Sequence, residues 1–367
     1  MKIKTITCHD VYNLGASLQA YALATYLKTQ GHDVQIIDYK PIYLRHYRLA
    51  GVSNPRFDRP FVRQAYQIAK FPGRLWNRLT SRRKKVFDAF TARYLPVAGK
   101  VFTSNEELKA APPEADVYIA GSDQIWNPVF QNGKDPAFFL DFVPEGKKRI
   151  SYAASFAVEK LSEADQNRML PLLQQLDAVS VRERSAVTIL EKMGVRGCQV
   201  MDPVFLLERS HWEQLAIRPA EEGYVLVYDF DRSPVMNAIA KELAAQTGRK
   251  LVSLFPMEGA DEVWQDAGPL EFLGAIQNAG IVLSNSFHAT AFSLIFQKDF
   301  YVLNREEKIN TRMRDLLKIL GLEDRMIFAV PQDRKQLQWK AIEEMQTGCI
   351  DNSKQFLRTA LSTIVER

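Results

Sequence analysis

The sequence predicts an α/β protein built as two Rossmann-like, doubly wound domains with a cleft between their strand ends. Three observations carry that expectation. Short apolar runs alternate with helix-period segments from residue 3 onward. The alternation falls into two series, one ending near residue 206 and one beginning near 210. At 367 residues the chain is too long for one ordinary core, so residues 1–206 and 207–367 are expected as separate domains.

The elements follow in order. Residues 3–7 read as a first strand, followed by the loop 8–15 and a helix over about 16–29, with Gly31 at the C′ position. Residues 34–38 form a second strand. Residues 117–120 are a compact apolar strand ending at Gly121-Ser-Asp-Gln-Ile-Trp-Asn-Pro128. Strands at 149–154 and 178–181 come next, the latter leading into Arg182-Glu-Arg-Ser185 and a helix that stops near Gly194. A strand at 199–201 leads to Asp202-Pro203. The second series repeats the grammar: strand 224–228, helix 234–247, strand 250–254, helix 270–279, a strand from Ile281, and strand 300–303. A terminal helix over about 354–366 could pack on either domain.

Composition narrows the function classes. A 46% hydrophobic and 25% charged chain is ordinary for a soluble globular protein. Residues 1–7 lack the apolar run of a signal peptide, and no stretch approaches a membrane span. Cys8, Cys198 and Cys349 lie far apart, which argues against a disulfide framework or zinc site. A cytoplasmic, reduced protein is expected, with no metal, because no His/Asp/Glu cluster has ligand spacing. The absence of a G-x-S-x-G elbow argues against a Ser-His-Asp hydrolase.

The net charge of +5 is unevenly placed. Residues 45–93 hold thirteen Lys/Arg against two acidic residues, a local +11 that leaves −6 for the rest of the chain. Aromatic residues are interleaved through this basic helical insert. It fits a peripheral contact with an anionic membrane surface or polyanion, or the solvated face of a surface helix pair. No nucleic-acid motif accompanies it, so no nucleic-acid partner is expected.

Polar residues gather where strands end. The run 281–296 reads as a buried strand, a Ser284-Asn-Ser286 turn, and a helix carrying His288 in its first turn. Strand ends that feed helix N-termini are where open α/β sheets bind ligands, anions above all; the alternative is a histidine that hydrogen-bonds its own loop. The first loop offers His9, Asp10, Asn13 and Gly15, the glycine permitting close backbone approach, but it lacks the dinucleotide fingerprint. Asp123, Gln124, Trp126 and Asn127 resemble a carbohydrate platform, with side-chain partners for hydroxyls and an indole for stacking. Equally, Ser122 or Asp123 could cap a helix and Trp126 belong to the core. Arg182 at a strand end suits carboxylate or phosphate recognition, unless it pairs with Glu183. Lys308 and Arg312 add cationic groups after the strand at Phe300.

Taken together, Asn13-Leu-Gly-Ala-Ser-Leu-Gln19, Gly121-Ser-Asp-Gln-Ile-Trp-Asn127, Ser151-Tyr-Ala-Ala-Ser155, Ser180-Val-Arg-Glu183, Asp202-Pro203, Ser284-Asn-Ser-Phe-His288-Ala-Thr290 and Asn310-Thr-Arg312 resemble the polysaccharide pyruvyl transferase family. The resemblance implies a glycosyltransferase-B-like architecture. It also implies transfer of the pyruvyl group of phosphoenolpyruvate to a sugar of a surface-polysaccharide precursor, forming a cyclic ketal and releasing phosphate. Phosphoenolpyruvate would be a co-substrate, with no cofactor. His288 and Asp123 would be catalytic. Arg182, His288, Ser286, Arg312 and Lys308 would hold the donor; Asn13, Gly15, Gln124, Trp126 and Asn127 would hold the acceptor. If the acceptor is lipid-linked, the basic insert would rest on the inner membrane face.

Two positions depart from the family pattern. Ser286 stands where some members carry Arg, and Ala289 where many carry Gly. The Ser286 departure keeps two alternatives open, a glycosyltransferase-like enzyme using a nucleotide sugar and a non-catalytic saccharide-binding protein.

Overall fold

The computed structural model describes residues 1–44, 80–304 and 311–362. In the first half lie β1 (Lys2–Ile6), β2 (Asp33–Tyr39), β3 (Val97–Phe102), β4 (Val117–Ala120), β5 (Lys148–Ala154), β6 (Ala178–Val181) and β7 (Cys198–Gln199). They make one parallel sheet in the order β3-β2-β1-β4-β5-β6-β7. The second half holds β8 (Val225–Tyr228), β9 (Leu251–Ser253), β10 (Glu262–Val263), β11 (Ile281–Ser284), β12 (Asp299–Leu303) and β13 (Met326–Ile327). Their order is β10-β9-β8-β11-β12-β13, again parallel throughout. Each order reverses at one point, between β1 and β4 and between β8 and β11, and each reversal opens a crevice at the strands' carboxyl ends.

The short apolar runs form strands because helices cover both faces of a parallel sheet. All four residues of β4 and of β11 are buried. Edge strands are harder to read. In β3 only Phe102 is buried, so no apolar run marks it; β10 and β13 are two residues each.

The two halves share one hydrophobic cluster. Helix Leu14–Thr29 is buried along almost its whole length, its Leu18, Leu23 and Leu27 in the same core as Phe205, Phe272 and Phe292. The terminal helix starts earlier than its sequence pattern implies, at Trp339, and straddles both sheets. Its Ser353 hydroxyl accepts from Met201 N at 2.8 Å and its Ala360 carbonyl accepts from Lys148 Nζ at 2.9 Å, while Glu343 pairs with Gln297 of the second half.

Of the basic insert, residues 45–79 lie outside the described residues, and the membrane-surface expectation falls mostly on them. Its end forms helix Arg82–Tyr94, which buries Phe87 and Phe90. Arg83 donates to Tyr12 O at 3.0 Å and to Gln265 O at 3.2 Å, and Val86 packs where a Cβ on Gly268 would lie 2.1 Å from its Cγ1. One side of this helix thus braces the two halves, while Arg82, Lys85, Asp88 and Arg93 remain exposed on the other. Among the described residues no helix is long and apolar enough to cross a membrane.

Candidate active site

The two crevices open into one cavity of ≈190 Å³. Asn13 enters it from the end of β1, Asp123 and Gln124 from β4, Phe230 from β8, and Ser286 and His288 from β11. Two helix N-termini meet there. The Asn13 side chain caps Leu14–Thr29 by accepting from Ala16 N at 3.1 Å. Ser286 caps Phe287–Ile295, its hydroxyl accepting from Ala289 N at 3.5 Å. Free N–H groups of two first turns thus converge with their positive dipole ends on the cleft.

The charged centre is a chain of five side chains. Arg182 Nη2 lies 2.9 Å from Asp202 Oδ2 and donates to Ser122 Oγ at 3.2 Å. Its Nη1 lies 3.4 Å from Asp123 Oδ1, the same oxygen that Arg312 Nη1 approaches at 3.3 Å. Both guanidiniums rest against the Phe287 ring, at 4.9 Å and 5.7 Å from its centroid. His288 Nε2 is 3.6 Å from Asp202 Oδ2, an ion-pair separation when the imidazole is protonated but too long for a hydrogen bond.

The electrostatics follow from burial set against neighbours. Burial raises the pKa of Asp202, but Arg182 and His288 outweigh it and bring it to about 2. Burial likewise opposes ionisation of Asp123, and Arg182, Arg312 and His288 outweigh it. Arg312 falls to about 10 because it is buried and faces Arg182. Glu183 moves the other way: burial raises its pKa despite both arginines. Its Oε1 accepts from Ser155 Oγ at 3.0 Å and Ala157 N at 2.9 Å, and its Oε2 has no partner. Arg182 therefore pairs with Asp202 and Asp123, and Glu183 stands behind the site.

Most of the expected residues come together: His288, Asp123, Arg312, Ser286, Asn13 and Gln124 line the cavity, with Arg182 behind Asp123. Lys308 lies outside the described residues. Three acceptor assignments need correction. Trp126 is fully buried, its Nε1 donating to Phe138 O at 2.9 Å and its ring stacked on Phe139 at 5.3 Å, so it is core and offers no face to a sugar. Asn127 is also fully buried and holds its own turn, donating to Gln124 and accepting from Val129 N. Gly15 does allow a close approach, but by His288: a Cβ there would come 2.0 Å from Nδ1. His9 is likewise turned away, 3.1 Å from Asp38 Oδ1 in the core. The sequence assigns no role to Asp202, Phe230, Asn285 or Phe287. For Asp202 a signal exists, an acidic residue closing a strand just before proline.

Two parallel sheets flank a cleft lined by Asp123, His288 and Arg312 and edged by two capped helix N-termini, the arrangement of α/β enzymes that hold a ligand at their strands' carboxyl ends. The polysaccharide pyruvyl transferase model matches residues 13–307, and the chain belongs to that family of transferases. No curated protein sequence matches. Among solved structures, a candidate UDP-N-acetylglucosamine 2-epimerase from Listeria monocytogenes superposes with a TM-score of 0.50 at 10% identity, over 98% of this chain and 90% of that one. A Methanocaldococcus jannaschii UDP-GlcNAc 2-epimerase superposes at 0.49 and 13% identity, over 99% and 100%. The first likeness shows the fold alone, the glycosyltransferase-B-like pair of Rossmann domains.

Proposed function

We propose that the protein transfers the pyruvyl group of phosphoenolpyruvate to two hydroxyls of a saccharide, with the cleft at His288 as its active site. The observation that carries this reading is the pair of largely buried guanidiniums, Arg182 and Arg312, bridged by the partly exposed carboxylate of Asp123. Two arginines beside two helix N-termini match a donor bearing both phosphate and carboxylate. Arg312 stands in the cleft as a cation where Ser286 replaces the arginine of some family members.

In this reading Asp123 takes the proton of the first hydroxyl as its oxygen bonds to C2 of the donor. His288 delivers a proton to the methylene carbon, which becomes the methyl group. The second hydroxyl then attacks C2, the bond from C2 to the phosphate oxygen breaks, and phosphate leaves with that hydroxyl's proton. Asp202, ionised and fully buried, holds Arg182 and faces the imidazole.

Calorimetric titration with phosphoenolpyruvate tests the donor site. The wild-type chain is expected to bind, and Arg182→Ala and His288→Ala to lose binding. No binding by wild type, or undiminished binding by both variants, overturns the reading.

A further inference from the structure

A second cavity, of ≈280 Å³, opens at the ends of β8 and β9, with Asp229, Arg232, Asn237, Phe255 and Met257 in its lining. One wall separates it from the cleft, and that wall is aromatic. Phe255 lies flat on Tyr228, with ring centroids 5.4 Å apart and planes 4° apart. Phe230 leans on both rings, 4.7 Å from Tyr228 and 5.6 Å from Phe255, yet keeps 37% of its surface exposed and lines the cleft beside His288. A hydrogen bond also crosses the wall, from Asn285 Nδ2 in the cleft to Asp229 Oδ1 in the second cavity, at 2.6 Å.

We propose that this second cavity is a saccharide subsite and that the acceptor spans at least two sugar units, one beside His288 and the next running over Phe230 toward Phe255. The proposal rests on the pyruvyl-transfer reading. Sugar rings offer apolar C–H faces to aromatic planes and hydroxyls to polar side chains, and the cavity supplies both. Asp229 is already occupied by Asp231 N at 2.9 Å, Ser233 N at 2.6 Å and Asn285, so Arg232, Asn237 and Glu258 are left for hydroxyls. Arg232 itself has φ +53°, a conformation that costs a non-glycine residue energy and that clusters at binding sites. A phosphate-bearing occupant is disfavoured, because Asp229 and Glu258 set two carboxylates against the single guanidinium of Arg232.

The test is an array of immobilised mono-, di- and tetrasaccharides probed with the full chain. Wild type is expected to retain di- and tetrasaccharides about tenfold better than their terminal monosaccharides. Met257→Trp, which fills the cavity, is expected to abolish that preference, as is Phe255→Ala, which removes the platform; the tryptophan variant carries the test if the alanine variant does not fold. Equal retention of all lengths, no retention of any saccharide, or a preference that survives Met257→Trp overturns the proposal. Phosphoenolpyruvate calorimetry on wild type is read separately: absent donor binding sinks the pyruvyl reading whatever the array shows.

Discussion

Arg182 Nη2 stands 2.9 Å from Asp202 Oδ2, and the two side chains are 2% and 0% exposed. A pair this buried has lost its hydration, and removing Asp202 leaves Arg182 only its longer 3.4 Å contact with Asp123, a loss that costs up to about 3–5 kcal/mol. Asp202→Asn is therefore expected to lower the urea midpoint strongly at neutral pH. The acid limb gives the sign check. A carboxyl depressed to about 2 contributes stability above its unfolded pKa of about 3.9, and that contribution is lost as pH falls toward 2. Stability measured across that window should fall less steeply in Asp202→Asn than in wild type; parallel slopes would show that the pair does not carry the effect.

Glu183 predicts the opposite slope. Burial raises its pKa, so the folded state binds its proton more tightly than the unfolded chain does. Its cost appears as pH rises above the ordinary carboxylate range. Glu183→Gln keeps an oxygen for Ser155 and Ala157 and removes the charge. The variant is expected to melt higher than wild type in alkaline buffer, with the difference vanishing near pH ~4. A lower melting temperature at every pH would mean that the ionised carboxylate is needed against the two arginines.

Strand ends were the legible part of this chain. Buried parallel strands such as β4 and β11 announce themselves as apolar runs, and the polar residues after them mark the crevice, so His288, Asp123 and Arg182 can be read in one dimension. The side toward which a side chain turns cannot. Trp126 and Asp123 share one turn, yet the indole enters the core at Phe139 while the carboxylate meets Arg312. Phe230 carries no sequence signal, because one phenylalanine after a strand looks like core until its exposed face is seen. Asp202 is visible as an acidic residue before proline, but its role is not, because the partner that defines it, Arg182, lies twenty residues away along the chain.

Gly15 and His288 make a steric prediction. Their contact leaves no room for a methyl group, since the added Cβ would sit 2.0 Å from Nδ1. Helix propensity favours alanine over glycine by about 1 kcal/mol, so Gly15→Ala need not destabilise the helix. The imidazole must instead move, and displacement of a catalytic group by about 1 Å can cost on the order of a hundredfold in rate. Turnover should fall at temperatures where the variant, strained by about 1–3 kcal/mol of overpacking, is still folded. Unchanged turnover would remove His288 from the chemistry.

Asp123 makes the sharpest prediction, because binding and turnover should separate. Its carboxylate bridges Arg182 and Arg312 through one oxygen at 3.4 and 3.3 Å, longer than the 2.7–2.9 Å typical of strong charge-assisted bonds. Asp202 is sealed in the core, whereas Asp123 is 18% exposed at the cleft. An incoming carboxylate or phosphate therefore competes with Asp123 for the same guanidiniums, and displacement frees the carboxylate to accept a proton from the acceptor. Asp123→Asn removes the competing anion and the base together. Phosphoenolpyruvate is expected to bind several-fold more tightly to the variant while turnover falls by about 10²–10⁴. Weaker binding with unchanged turnover would show that Asp123 only orders the arginines, and the proton would then need another acceptor.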